Sequence, residues 1–239
     1  MRNALLKVSM GVVASLLASA SWAVAPPMPP ATSGSGDGGM KHALVSVTGT
    51  TVSVHISEPP ADVAPASPVV MTSGHGVDYA PGKFDVLEGV SFNAQYGWLP
   101  GSALTLPADR AIWIERTGAM QPAGSAFHVY EGGMGMTNDA LMEGMPYWTM
   151  DEIYANDGDQ WQWDGRMQHD YYTADMPGSY AMSFRVYVGD LTGAEDVTYT
   201  PGTATLQFRV VPEPATWALA VLGVAGTLAR RTLGRRRKS

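Results

Sequence analysis

The residues best suited to chemistry lie between Tyr130 and Met176, a stretch dense in Met, Trp, Tyr, Asp and Gly and poor in alternation. A segment this long and irregular inside a compact domain is usually functional or disordered. Its aromatic content argues against disorder. Three constellations stand in or near it. The first is the run NDGDQWQWDG, with Asn156, Asp157, Asp159 and Asp164, and with Asp151 and Glu152 just upstream. Hard oxygens gathered at glycine turns suit calcium, which takes roughly six to eight oxygen ligands and is abundant outside cells. The order D-x-[DN]-x-[DN]-G of an EF-hand is missing, so these carboxylates are either a calcium site of another geometry or a solvated acidic turn.

The second constellation is His75, His128 and His169 together with Met134, Met136, Met142, Met145, Met150 and Met167. Imidazoles take zinc or copper and thioethers favour cuprous copper, so a zinc or copper site is one reading. The histidines are far apart in sequence, and methionine also serves as a flexible packing residue, so a purely structural role is the other. The third is Trp148, Trp161, Trp163, Tyr147, Tyr154, Tyr171 and Tyr172. Flat aromatic faces beside Asp and Asn acceptors can hold sugar rings by stacking with polar orientation. Against that, Trp161 and Trp163 stand at i and i+2, where one strand face would turn both toward a core. No G-x-S-x-G elbow, H-E-x-x-H pair or phosphate-cradling glycine loop occurs, so the body is expected to bind rather than catalyse.

These residues need a scaffold, and the pattern around them is that of strands. Ala43, Val45 and Val47 alternate against His42, Ser46 and Thr48, then Val52, Val54 and Ile56 follow the turn at Gly49, which predicts a hairpin. A strand is expected from Phe84 to Tyr96, with Phe84, Val86, Val90, Phe92, Ala94 and Tyr96 on one face and a bulge at Glu88-Gly89. Others are expected at Ala111 to Arg116 and Ala126 to Glu131. The clearest two are Ser179 to Val188, with Tyr180, Met182, Phe184, Val186 and Val188 in phase, and Thr203 to Val210, with Ala204, Leu206, Phe208 and Val210 in phase. No body segment repeats at 3.6 residues over three turns. The predicted fold is all-β, an immunoglobulin-like or jelly-roll β-sandwich over residues 41–211.

Both ends differ from the body. Arg2 and Lys7 precede an apolar run, Val8 to Leu17, and small residues at Ala18, Ser19, Ala20, Ser21, Ala23 and Ala25, which predicts a signal peptide over 1–23 cut by signal peptidase after Ala23. Residues 24–40 are rich in Pro, Gly and Ser and read as a linker. At the other end, Ala215 to Ala229 is apolar and uncharged and precedes Arg230, Arg231, Arg235, Arg236, Arg237 and Lys238. As a helix it would span roughly 22 Å, a marginal transmembrane length, with its basic flank held on the cytoplasmic side.

The chain has 15 Lys and Arg, 22 Asp and Glu, and no Cys. Two bases lie in the signal and six in the tail, and Glu213 is the only acid outside residues 24–212, so that body holds 21 acids and 7 bases, a net charge of −14. Nucleic acid is excluded as a partner, because phosphate binding needs a basic footprint. Without cysteine there are no disulfides and no thiol nucleophile, so burial alone must stabilise the fold.

The triplet Pro212, Glu213 and Pro214, followed by a short apolar helix and a basic cluster, resembles the PEP-CTERM sorting signal of bacterial envelope proteins. The same kind of tail also goes under the description of an ice-binding protein C-terminal domain, which concerns the tail alone. The resemblance implies an exosortase, a membrane protease-transpeptidase, as partner, with cleavage near the triplet and delivery to the surface or extracellular polymer of a Gram-negative bacterium. Such a destination would give the protein reason to hold exopolysaccharide. PGSY, Pro177 to Tyr180, resembles the start of the penultimate strand in extracellular immunoglobulin-like domains, which implies that Tyr180 bonds back to the backbone as a corner. The stretch from Tyr180 to Val210 is also distantly similar to a PEP-CTERM family repressed by the zinc-uptake regulator.

Overall fold

A computed structural model describes residues 40–57, 68–72, 82, 84–102, 104–133 and 149–211. Among them are eleven strands: β1 Lys41–Thr48, β2 Thr51–Ser57, β3 Val69–Thr72, β4 Ser91–Asn93, β5 Tyr96–Pro100, β6 Arg110–Met120, β7 Phe127–Gly133, β8 Gln160–Trp163, β9 Gln168–Ala174, β10 Gly178–Asp190 and β11 Gly202–Val211. They form two sheets. The first runs β2-β1-β5-β9-β4 with β7 on the other edge of β9, and the second runs β3-β11-β10-β6-β8. This is an all-β sandwich. Two pairings are parallel, β1 with β5 and β3 with β11, so both sheets are mixed.

The expected hairpin is β1 and β2, with Gly49 at φ 59° in the turn, where a residue without Cβ adopts a left-handed backbone freely. Strands β10 and β11 pair over Gly178 to Val186, and their in-phase residues meet those of the other sheet. The apolar interior is aromatic at its centre. The Phe208 ring lies 4.7 Å from Tyr172, 5.2 Å from Tyr96 and 5.6 Å from Phe127, while Phe184 packs edge-on to Trp98 at 5.4 Å. Such tilted and edge-to-face contacts suit the ring quadrupoles and add to simple burial. The hydroxyl of Tyr180 donates to the Met176 carbonyl at 2.7 Å, so the corner implied by PGSY is present.

The expectation for residues 84–96 needs correction. Asp85–Leu87 is a 3-10 turn, and the strand begins only at Ser91. The break in alternation falls at Ala94-Gln95, not at Glu88-Gly89. Strands β4 and β5 both pair with β9, Asn93 opposite Tyr172 and Gly97 opposite His169, so two residues on this line are passed for three intervening positions. The bulge is held by Asn93, whose side-chain oxygen accepts the Gln95 backbone N–H at 2.9 Å and whose amide donates to the Gln95 side chain at 2.7 Å. One inserted residue reverses the facing of everything after it. Phe92 and Ala94 therefore pack outward, in a small cluster with Phe84, Leu87, Met150 and Tyr171. Tyr96 and Trp98 point inward to the main core.

Strand β9 has no counterpart among the sequence expectations. All seven of its residues are buried. Its even-numbered residues face the other sheet and its odd-numbered ones face the outer cluster, so it shows no polar and apolar alternation.

Candidate functional site

A buried polar row crosses the first sheet. Gln168, His169 and Asp170 are consecutive on β9, and all are at most 2 % exposed. Asp170 points inward among apolar side chains. One of its oxygens accepts the Gly132 N–H at 3.2 Å and the Gln168 amide at 3.1 Å; the other has no partner among the described residues. Burial pushes its carboxyl up to about 7, with those two hydrogen bonds acting in the opposite direction. A carboxylate in apolar surroundings is costly, and proton uptake is the cheapest relief.

His169 points the other way, onto the outer face. Its Nδ1 lies 2.8 Å from the Ala94 carbonyl oxygen, which can only accept, so Nδ1 carries the proton and Nε2 presents a bare lone pair. Burial is the main cause that holds this imidazole neutral, pushing its pKa down to about 4. The neighbouring strands complete the row, since Gly97 on β5 is in register with His169 on one side and with His42 of β1 on the other. The two imidazoles stand edge to face with centroids 6.2 Å apart. Both Nε2 atoms are buried, and neither has a hydrogen-bond partner among the described residues.

Among the described residues, the predicted site residues do not assemble as a set. His128 is half-exposed on β7, where its Nδ1 lies 2.7 Å from a Glu152 oxygen. It is in register with Thr173, four positions from His169, which puts about 13 Å of strand between them. His128 and His169 are thus well apart on the two strands. His75, Met134, Met136, Met142 and Met145 lie outside the described residues, and Met150 is buried in the outer cluster.

The carboxylates of the acidic run are engaged locally. Asp157 accepts from Arg116 Nε at 2.9 Å, Asp159 accepts the Asn156 N–H at 2.7 Å, and Asp164 accepts the Arg166 N–H at 2.8 Å. The last two are ties within turns, whereas Arg116 of β6 anchors the loop and also donates to the Tyr154 and Ala155 carbonyls. Among the described residues no three His, Asp or Glu side chains converge as metal ligands.

Trp163, Tyr171 and Tyr172 are at most 3 % exposed, and Trp161 packs partly against the main core. Trp161 and Trp163 share the inner face of β8, and the Trp163 indole N–H donates to the Arg166 carbonyl at 2.7 Å. Trp148 lies outside the described residues. What β8 does offer is a cleft of about 360 Å³ between its end and the segment 104–112. Leu104, Leu106 and Ile112 form apolar walls, Gln162, Asp164 and Arg110 supply polar groups, and Leu191 stands at the edge, 57 % exposed. Arg110 is fixed there by Asp196 and Asp109, both at 2.8 Å.

Sequence reasoning missed His42, Gln168 and Asp170. His42 was legible only as a polar residue in an alternating strand, and nothing local signals that it meets His169. The consecutive Gln-His-Asp was a usable sign, because three polar residues between Met167 and the Tyr171-Tyr172 pair fit neither an apolar core strand nor a glycine turn.

No helix among the described residues is long and apolar enough to cross a membrane, and the run 215–229 lies outside them, as does the triplet Pro212, Glu213 and Pro214. No curated protein and no solved structure matches the chain. Residues 210–238 match the family model described as the PEP-CTERM protein-sorting motif, which begins at the last residues of β11, so the sandwich leads straight into the signal. The chain therefore carries a PEP-CTERM protein-sorting signal, which implies exosortase as its processing partner and export to the cell envelope.

Proposed function

We propose that the exported body is a ligand-holding component of the cell surface or extracellular polymer, and that its ligand is carbohydrate held in the cleft beside β8. The cleft is the observation that carries this reading. Its volume, about 360 Å³, lies in the range of small-ligand sites, and a few polar groups over an apolar lining are what orient a sugar. The contact would be made by Gln162 and Asp164 hydrogen-bonding to hydroxyls and by Leu191 covering an apolar sugar face, not by stacking on the buried tryptophans. The body's net charge of −14 favours a neutral or cationic polymer. In this reading a signal peptide over 1–23 starts export, the apolar run 215–229 holds the chain in the membrane, and exosortase releases it near Glu213. The role is binding, without catalysis.

Native gels cast with a neutral polysaccharide, dextran or hydroxyethyl cellulose, or with the cell's own polymer, test the cleft. The wild-type chain is expected to be retarded, and Gln162→Ala and Leu191→Ala to reduce retardation several-fold, while Trp161→Ala migrates like wild type. Absence of retardation in all three gels, or equal retardation of Gln162→Ala, Leu191→Ala and wild type, overturns the reading.

A further inference from the structure

We propose that His42 and His169, facing each other across Gly97 on the outer side of the first sheet, form a two-imidazole site for a late first-row transition-metal ion such as zinc or copper. This does not rest on the carbohydrate cleft, which lies at β8 in the other sheet.

Four observations converge. The first is register, which places His42, Gly97 and His169 side by side on three adjacent strands, all on one face. The second is aim. A Cβ on Gly97 would come within 2.5 Å of His169 Nε2 and 2.6 Å of its Cε1, so the Nε2–Cε1 edge of the ring lies over the glycine that separates it from His42. The third is spacing. Two imidazoles bound through nitrogen at about 2.0–2.1 Å from one ion each place their centroid roughly 3.2 Å from it, so a tetrahedral angle sets the centroids about 5.2 Å apart; here they stand at 6.2 Å, and a closing of about 1 Å completes the site. The fourth is chemistry. The Ala94 carbonyl fixes the His169 proton on Nδ1 and leaves Nε2 as a ligand, the arrangement that orients most metal-binding histidines.

A purely structural role leaves these observations in tension. Burying a polar nitrogen without a partner costs free energy, and here two such nitrogens belong to neighbouring rings. A metal ion would satisfy both at once. Two imidazoles leave the remaining positions of the ion to water or an external ligand, and imidazole suits zinc and copper better than it suits calcium. His55 and His128 take no part, since neither belongs to the row.

The test uses the full, untagged chain freed of metal, with Zn2+, Cu2+ and Ca2+ added singly as probes in calorimetric titrations. The expected result is one Zn2+ or Cu2+ per chain, with affinity falling at least tenfold in His42→Asn and in His169→Gln, no change in His128→Gln, and no saturable Ca2+ response that depends on either histidine. In 15N spectra of the wild-type chain, the His169 Nε2 resonance is expected to move on adding Zn2+ while Nδ1 keeps its proton. This measurement needs no variant, so it decides the matter even if His169→Gln fails to fold. Wild-type affinity in His42→Asn, an equal loss in His128→Gln, or an unmoved Nε2 resonance at saturating Zn2+ each overturns the proposal.

Discussion

Gly97 is the seat of the His169 ring. A methyl group on Gly97 would stand 2.5 Å from Nε2 and 3.0 Å from Cδ2, closer than packed atoms allow. The substitution Gly97→Ala must turn the ring, breaking its bond to the Ala94 carbonyl, or push β5 from β9. Overpacking of this kind costs about 1–3 kcal/mol, and urea unfolding is expected to show a loss of that size. A Gly97→Ala protein as stable as wild type, with the His169 Nδ1 proton still bonded, would show that the ring does not lie there.

Asp170 ties stability to pH. Its carboxyl is pushed from the ordinary 3.8 up to about 7, mainly by burial, so the folded protein keeps a proton that the unfolded chain has released between those values. Its contribution therefore turns against folding as pH rises through that window. His169 works in the opposite sense. Its pKa falls from 6.5 to about 4, so stability is lost as pH drops through that interval, and the lowered pKa of His42, caused by burial, adds to the same loss. Asp170→Asn removes the first slope and leaves the second. The stability difference, variant minus wild type, is expected to grow from pH 4 to pH 7 by at most about 1.4 kcal/mol per pH unit. A difference constant across that range would mean that Asp170 ionises as an ordinary surface carboxyl does.

Glu213 lies between two prolines, a sequence that disfavours helix and favours the extended backbone a protease binds. With Glu213→Ala, the mature protein is expected to keep the mass of the uncut tail and to accumulate in the membrane fraction. Mass spectrometry of the surface and membrane fractions checks this. A surface form of wild-type mass in the variant would show that exosortase reads the signal without this carboxylate.

The sandwich was legible where a strand has one wet side. In β11 the alternation of Ala204, Leu206, Phe208 and Val210 with exposed residues repeats without a break, and the strand lies where it was expected. The candidate site was legible only in part. His169 stood out by residue type, but its neighbour in the row is His42 rather than His128, and the two halves are joined only when β1 pairs with β5 and β5 with β9. The tryptophans were read from composition, which does not distinguish a ring that covers a core from one that faces water.

By itself, the sequence determined the all-β class, the hairpin around Gly49, the long strand pair β10 and β11, and the sorting signal that follows them. Each is written locally, in a period of two or in a short ordered run of residue types. The tertiary structure alone decided that β9 lies buried on both faces, and that one extra residue at Ala94-Gln95 turns Phe92 outward and Tyr96 inward. It also decided that Gly97 separates two histidines far apart in the chain. The physical reason is that a strand buried on both sides loses its alternation, and that register between distant strands comes from packing the whole sandwich rather than from any segment of it.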